Sequence, residues 1–192
     1  SLTLAGFLIA SHWIAFFKSV KLVGVSPTLA MLSTGAIITA FLEPIFYKRK
    51  ILIYEIIFGT IAMIGTLIIF KSTPEDFFGM SVALLATVLG VFYTLINGKL
   101  INEYSATILN FYEMTIGALF ISTYMFYSGE FNKFFFQFSV NDFLWILILS
   151  SICTAYAITK SISLIKVLNP YSIMLILNME PIYGIILALV IF

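Results

Sequence analysis

Two carboxylates and one imidazole stand in stretches of chain that are otherwise almost wholly apolar. Glu180 precedes Pro181 inside the run Tyr171–Phe192, Glu113 follows Asn110 and Tyr112 inside Ala106–Tyr127, and His12, the single histidine, adjoins Trp13 inside Leu2–Phe17. A charge near a bilayer midplane costs roughly 3 kcal/mol on insertion scales, so such residues face a protein interior or a water-filled path. A low dielectric disfavours the charged form of a carboxylate, which makes Glu113 and Glu180 candidates to bind and release protons as water or substrate enters. Pro181 lacks an amide donor and crowds the carbonyl of Leu177, so it is expected to break its helix and free backbone polar groups. Pro44, after Glu43, is expected to do the same in an earlier segment. A carboxylate beside a broken helix is a midplane binding site in many transporters.

Further residues gather around these three. Asn110 and Glu113 share one helix face, with Gly117 a turn further on. Trp13 offers a π face to a cationic or aromatic group, Ser33, Thr34 and Asn178 add hydrogen-bonding groups, and Tyr112, Tyr156 and Tyr183 add rings with polar tips. All are expected to bind substrate or couple its movement. The bland alternatives are that His12 is a packed hydrogen-bonding residue and that Glu113 pairs with a neighbouring helix. Carriers of phosphorylated anions want Lys or Arg in the cavity, whereas every Lys and Arg here falls at a helix end or joint. The expected substrate is therefore cationic, zwitterionic or aromatic, such as an amino acid or an amine. One His, no His-Glu-x-x-His and no Gly-x-Ser-x-Gly argue against an enzyme and imply neither metal nor cofactor.

The elements that carry these residues are membrane helices. Hydrophobic residues are 61% of the 192 and charged residues 10%, against about a quarter charged in a soluble domain. Mean hydropathy is +1.11. Apolar segments fall at about 2–17, 28–47, 51–70, 78–96, 106–127, 143–164 and 171–192, about seven spans of about twenty residues each, too long and too continuous for barrel strands. The class is all-α, a polytopic helix bundle. Pairs of small residues four apart, Gly6/Ala10, Ser11/Ala15, Ala83/Thr87 and Ala86/Gly90, are expected to pack helices closely. Glu43, Glu55 and Glu103 lie near basic joints as expected salt-bridging or solvated charges. A net charge of +1 excludes a nucleic-acid partner, and Cys153, alone, forms no internal disulfide. No ring of like charges or filter-like carbonyl loop suggests a channel. The chain opens without Met and stops at Phe192 without a polar flank, so both ends are expected to be cut. Joints with Lys48, Arg49, Lys50, Lys99, Lys160 and Lys166 lie on the expected cytoplasmic side, and those with Lys18, Lys21, Lys71 and Lys133 on the other.

An internal echo adds organisation. Ser11-His12-Trp13, then Lys18-Ser19 and a turn ending Ser26-Pro27, parallels Thr154-Ala155-Tyr156, then Lys160-Ser161 and a turn ending Asn169-Pro170. An odd number of intervening spans puts the two turns on opposite faces, which is the pattern of an inverted repeat.

Ser11-His12-Trp13 through Lys18, Leu32-Ser33-Thr34-Gly35-Ala36 and Phe41-Leu42-Glu43-Pro44 resemble the first repeat of the EamA family in the drug/metabolite transporter superfamily. Phe111-Tyr112-Glu113-Met114, Asn169-Pro170 and Leu177-Asn178-Met179-Glu180-Pro181 are similar to the second. The resemblance covers essentially the whole chain. It implies ten helices in two inverted repeats, of which this chain would hold helices three to nine, with part of the first repeat at 1–77 and most of the second at 78–192. The implied activity is alternating-access transport of small metabolites, proton-coupled or not, in a bacterial inner membrane. Its partners would be the metabolite and lipid, with the oligomeric state open. The competing readings are a non-transporting membrane scaffold and, behind it, a membrane-embedded enzyme.

Overall fold

The computed structural model describes residues 1–70, 77–132, 135, 137–180 and 182–183, with the backbone alone at 69 and 70. Its elements are α1 (Leu2–Val23), α2 (Val25–Leu32), α3 (Gly35–Tyr47), α4 (Ile53–Phe70), α5 (Phe77–Leu100), α6 (Ala106–Ser128), α7 (Val140–Ile148), a π-helical segment (Leu149–Tyr156), α8 (Ala157–Leu164) and α9 (Pro170–Leu177). Among the described residues, four helical stretches are long and apolar enough to cross a membrane, as in an integral membrane protein: Leu2–Val23, Val25–Tyr47, Phe77–Leu100 and Val140–Leu164.

Local chemistry sets the boundaries. Gly24 takes a positive φ of 86° between α1 and α2, a conformation open to glycine without steric cost. The Ser105 side chain caps α6 and Gly129, left-handed at φ 73°, ends it. Ser139 and Asp142 form a capping box at the start of α7. Asn169 accepts from Ser172 N at 2.8 Å, and Pro170 occupies the first turn of α9, where its missing donor is not needed.

The expected segment 28–47 is not one continuous helix. It divides at Ser33 and Thr34, whose hydroxyls donate to the carbonyls of Ala30 and Met31, each at 2.7 Å. Such back-bonding competes with the helical ladder. Pro44 does not break α3, which continues to Tyr47. So near the C-terminus, proline removes a single ladder bond, that to Ala40. Nor does the first helix stop at Phe17: α1 carries Lys18 and Lys21 to its end, with Lys21 in the last turn where a cation meets the helix dipole. Pro181, the other expected break, lies outside the described residues, but α9 ends before it, at Leu177.

Packing centres on α1 and α5. His12 meets Ala86 and Ser19 meets Gly79, so the two helices run antiparallel. Gly6 lets α1 approach α6 so closely that a Cβ there would lie 2.9 Å from the Glu113 carbonyl oxygen, and Gly117 faces Gly6 O in return. Ala10, Ala83, Ala86 and Thr87 are buried in these contacts. α2 and α3 run along α5 in the same direction, from the Thr28–Ser19 hydrogen bond at the Phe77 end to the Tyr47–Leu95 carbonyl bond at the Leu100 end. α9 starts at that Leu100 end, where Pro170 packs on Gly98. The two proline-bearing turns, Gly24–Pro27 and Asn169–Pro170, therefore lie at opposite ends of α5. The stretch Val140–Leu164 touches the rest chiefly through α8 against α6.

Candidate functional site

A cavity of about 270 Å³ lies between α1, α2, α5, α8 and α9. Its polar wall includes His12, Ser33, Thr87, Tyr93, Thr94 and Asn178, with Glu180 at the α9 side and Cys153 and Ser161 on the π-helical segment and α8. The remaining lining is aliphatic, including Ile9, Leu29 and Ile158. Among the described lining residues there is no Lys or Arg.

Two helices end beside the cavity. α2 ends at Ser33 and α9 ends at Asn178, each after eight residues. The Asn178 side-chain amide donates to the Ser33 carbonyl at 3.1 Å. A carbonyl left free by one helix end is thus satisfied by a side chain at the end of another. Opposite them, Gly90 leaves room for the His12 ring, since a Cβ there would come within 3.1 Å of Nδ1. The His12 Nδ1–Ala86 oxygen distance is 2.7 Å. A carbonyl can only accept, so Nδ1 carries the proton, and in the neutral ring Nε2 holds the lone pair.

Of the eleven residues singled out from sequence as binding or coupling, His12, Ser33, Asn178 and Glu180 line this cavity. Glu113 stands one layer behind it. It is fully buried and accepts from the Tyr93 hydroxyl at 2.9 Å through Oε2, while Oε1 has no hydrogen-bond partner among the described residues. Asn110 turns to α8 and the π-helical segment, donating to Ala155 O at 2.9 Å and Thr159 Oγ1 at 2.7 Å. Trp13 packs against the apolar cluster around Leu8 and Tyr93. Thr34 bonds back to Met31 O in the last turn of α2. Tyr112, Tyr156 and Tyr183 are half or more exposed away from the cavity wall, and Lys160 lies over the Tyr156 ring at 5.5 Å. The face shared by Asn110, Glu113 and Gly117 is buried as a unit, but against α1, α5 and α8 rather than toward the cavity.

The residues missed from sequence belong mostly to α5. Thr87, Gly90 and Thr94 recur at spacings of three and four along one stripe of the helix, which Asn97 continues beyond the cavity. That stripe was the available signal, with Tyr93 beside it.

A second polar cluster closes the Leu100 end. Arg49 donates from Nε to Glu43 at 3.0 Å and from Nη2 to Glu55 at 2.7 Å. Glu43 also accepts from the Tyr171 amide at 2.7 Å, and the Tyr171 hydroxyl donates to the Glu55 carbonyl at 2.7 Å. Both carboxylates are buried, so the expectation of salt-bridging charges holds here while that of solvated ones does not. Burial opposes the Arg49 charge, but the hydrogen bonds and charges of Glu55 and Glu43 prevail and raise its pKa above the ordinary value. No family model, curated protein or solved structure matches this chain.

Proposed function

We propose that this chain is part of a multi-pass permease of the EamA type, moving small amino-acid-like, cationic or aromatic metabolites by alternating access across a bacterial inner membrane. The reading places 1–77 in one repeat and 78–192 in its inverted partner, within a ten-helix whole. Transport rather than catalysis is the activity, and the positively charged Leu100 end faces the cytoplasm by the positive-inside rule. The observation that carries the reading is the meeting of two interrupted helices, entering from opposite ends of α5, at the Asn178–Ser33 bond beside a cavity. Paired discontinuous helices at a central site suit a carrier, because each half can open one end in turn.

The test is flux of a mixed metabolite panel in vesicles, wild type against Glu113→Gln and Glu180→Gln, with and without a pH gradient. Wild-type flux that Glu180→Gln abolishes at unchanged protein level is the expected result. Absence of flux across the panel from well-folded wild type would favour the second reading, a membrane scaffold. That reading draws on Glu113 and the Glu43–Arg49–Glu55 cluster, which are held in fixed partnerships as structural charges are.

A further inference from the structure

The polar groups around the cavity share a feature that individual residues do not reveal. The Ser33 hydroxyl donates to Ala30 O at 2.7 Å, Thr87 to Ala83 O at 2.9 Å, and Thr94 to Gly90 O at 3.0 Å. The Tyr93 hydroxyl donates to Glu113, His12 Nδ1 donates to Ala86 O, and one amide hydrogen of Asn178 points to Ser33 O. Each of these groups has committed a proton to a protein acceptor. Lone pairs are what these cavity-lining groups keep to offer: the Ser33, Thr87 and Thr94 hydroxyl oxygens, His12 Nε2 in its neutral form, and the Asn178 carbonyl oxygen. Glu180 contributes a carboxylate, which when ionised is acceptor-only, and Lys and Arg are absent from the described lining. Hydrogen atoms are left on Ser161, Cys153 and the second N–H of Asn178, donors that carry no positive charge.

We infer that this cavity recognises cations bearing N–H donors, protonated primary or secondary amines, in preference to quaternary ammonium ions or anions. A wall of acceptors leaves each lone pair unsatisfied when a ligand without donors displaces water, and an unsatisfied buried group loses the full desolvation term. Quaternary ammonium recognition relies instead on several aromatic faces, and the aromatic rings among the described lining residues are those of His12 and Tyr93. An anion meets Glu180 without a compensating cation. The volume of about 270 Å³ lies at the lower edge of ligand pockets, roughly 300–1,000 Å³, so the ligand is small. This inference rests on the cavity of the proposed permease being a binding site, but it concerns binding and not movement.

Cys153, the single cysteine, is exposed and lines the cavity, so its alkylation reports occupancy. The purified chain in lipid nanodiscs is labelled with a maleimide in the presence of phenethylammonium, its N,N,N-trimethyl analogue, or phenylpropionate, with Cys153→Ser confirming the labelled site. The expected result is protection by phenethylammonium at a concentration at least about tenfold below that of the trimethyl ion, as the loss of one charge-assisted hydrogen bond requires. Phenylpropionate gives no protection, and Glu180→Gln weakens both cations. Equal protection by the two cations, stronger protection by the anion, or protection by none of the three overturns the inference. Flux of phenethylammonium in vesicles separates this from the transport reading: selective protection without flux would reject the permease and leave the N–H selectivity standing.

Discussion

Asn178 and Ser33, 145 residues apart in the chain, are joined by a 3.1 Å hydrogen bond from the side-chain amide of one to the backbone carbonyl of the other. Both stand where a helix ends, and α2 and α9 approach that point from opposite ends of α5. The bond ties the two interruptions together at the cavity wall. Asn178→Ala removes the donor and leaves the Ser33 carbonyl without it, which costs about 1–3 kcal/mol. Thermal unfolding in detergent should show this loss. Asn178→Asp should lose at least as much, since it replaces the donor by an acceptor facing a carbonyl.

The Arg49 cluster gives a larger effect. Glu43 and Glu55 are 2% and 0% exposed, and Arg49 supplies the positive charge between their carboxylates. Arg49→Met leaves two buried carboxylates facing one another, and breaking a buried pair in this way costs about 3–5 kcal/mol. Adding Glu43→Gln and Glu55→Gln to Arg49→Met removes the stranded charges and should recover most of the loss. A triple variant as unstable as the single one would show that the charges are not the source.

The helical class and most helix positions are legible from sequence because a bilayer demands long apolar runs, and these show without any tertiary knowledge. The interruption at Ser33 and Thr34 is not legible in the same way. Serine and threonine are tolerated in membrane helices, and whether their hydroxyls bond back to Ala30 and Met31 depends on what the neighbouring carbonyls meet. Pro44 draws attention as a breaker, yet its place near the end of α3 makes it harmless. The polar residues of α5 are diluted among Leu and Val, so Thr87, Thr94 and Asn97 read singly as packing residues. Glu43 and Arg49 are close in sequence, but their tie to Tyr171 spans 128 residues for Glu43, beyond the reach of local pattern.

Gly6 sets the spacing of α1 and α6. A Cβ at this position would lie 2.8 Å from Ile116 Cβ and 2.9 Å from the Glu113 carbonyl oxygen, and neither can retreat without moving the helix. Gly6→Ala should therefore destabilise by about 1–3 kcal/mol, the range for overpacking a dense interior. Gly65→Ala is the matched control, since no described residue lies within 4 Å of a Cβ there. Unfolding midpoints of the two variants should differ in that order.

Tyr93 links the cavity wall to a carboxylate that the cavity does not reach. Its ring lines the cavity, and its hydroxyl donates at 2.9 Å to Glu113, whose other oxygen has no hydrogen-bond partner among the described residues. If Glu113 exchanges a proton during transport, Tyr93 is the group through which the cavity senses it. Tyr93→Phe keeps the ring and removes the donor, so the pH-gradient-driven part of flux should fall at least about tenfold, as it should in Glu113→Gln. The double variant decides between coupling and coincidence. Residues acting through one hydrogen bond are non-additive, so Tyr93→Phe with Glu113→Gln should be no worse than either alone. Multiplied losses in the double variant would mean that the two act separately and that the Tyr93–Glu113 hydrogen bond does not couple them.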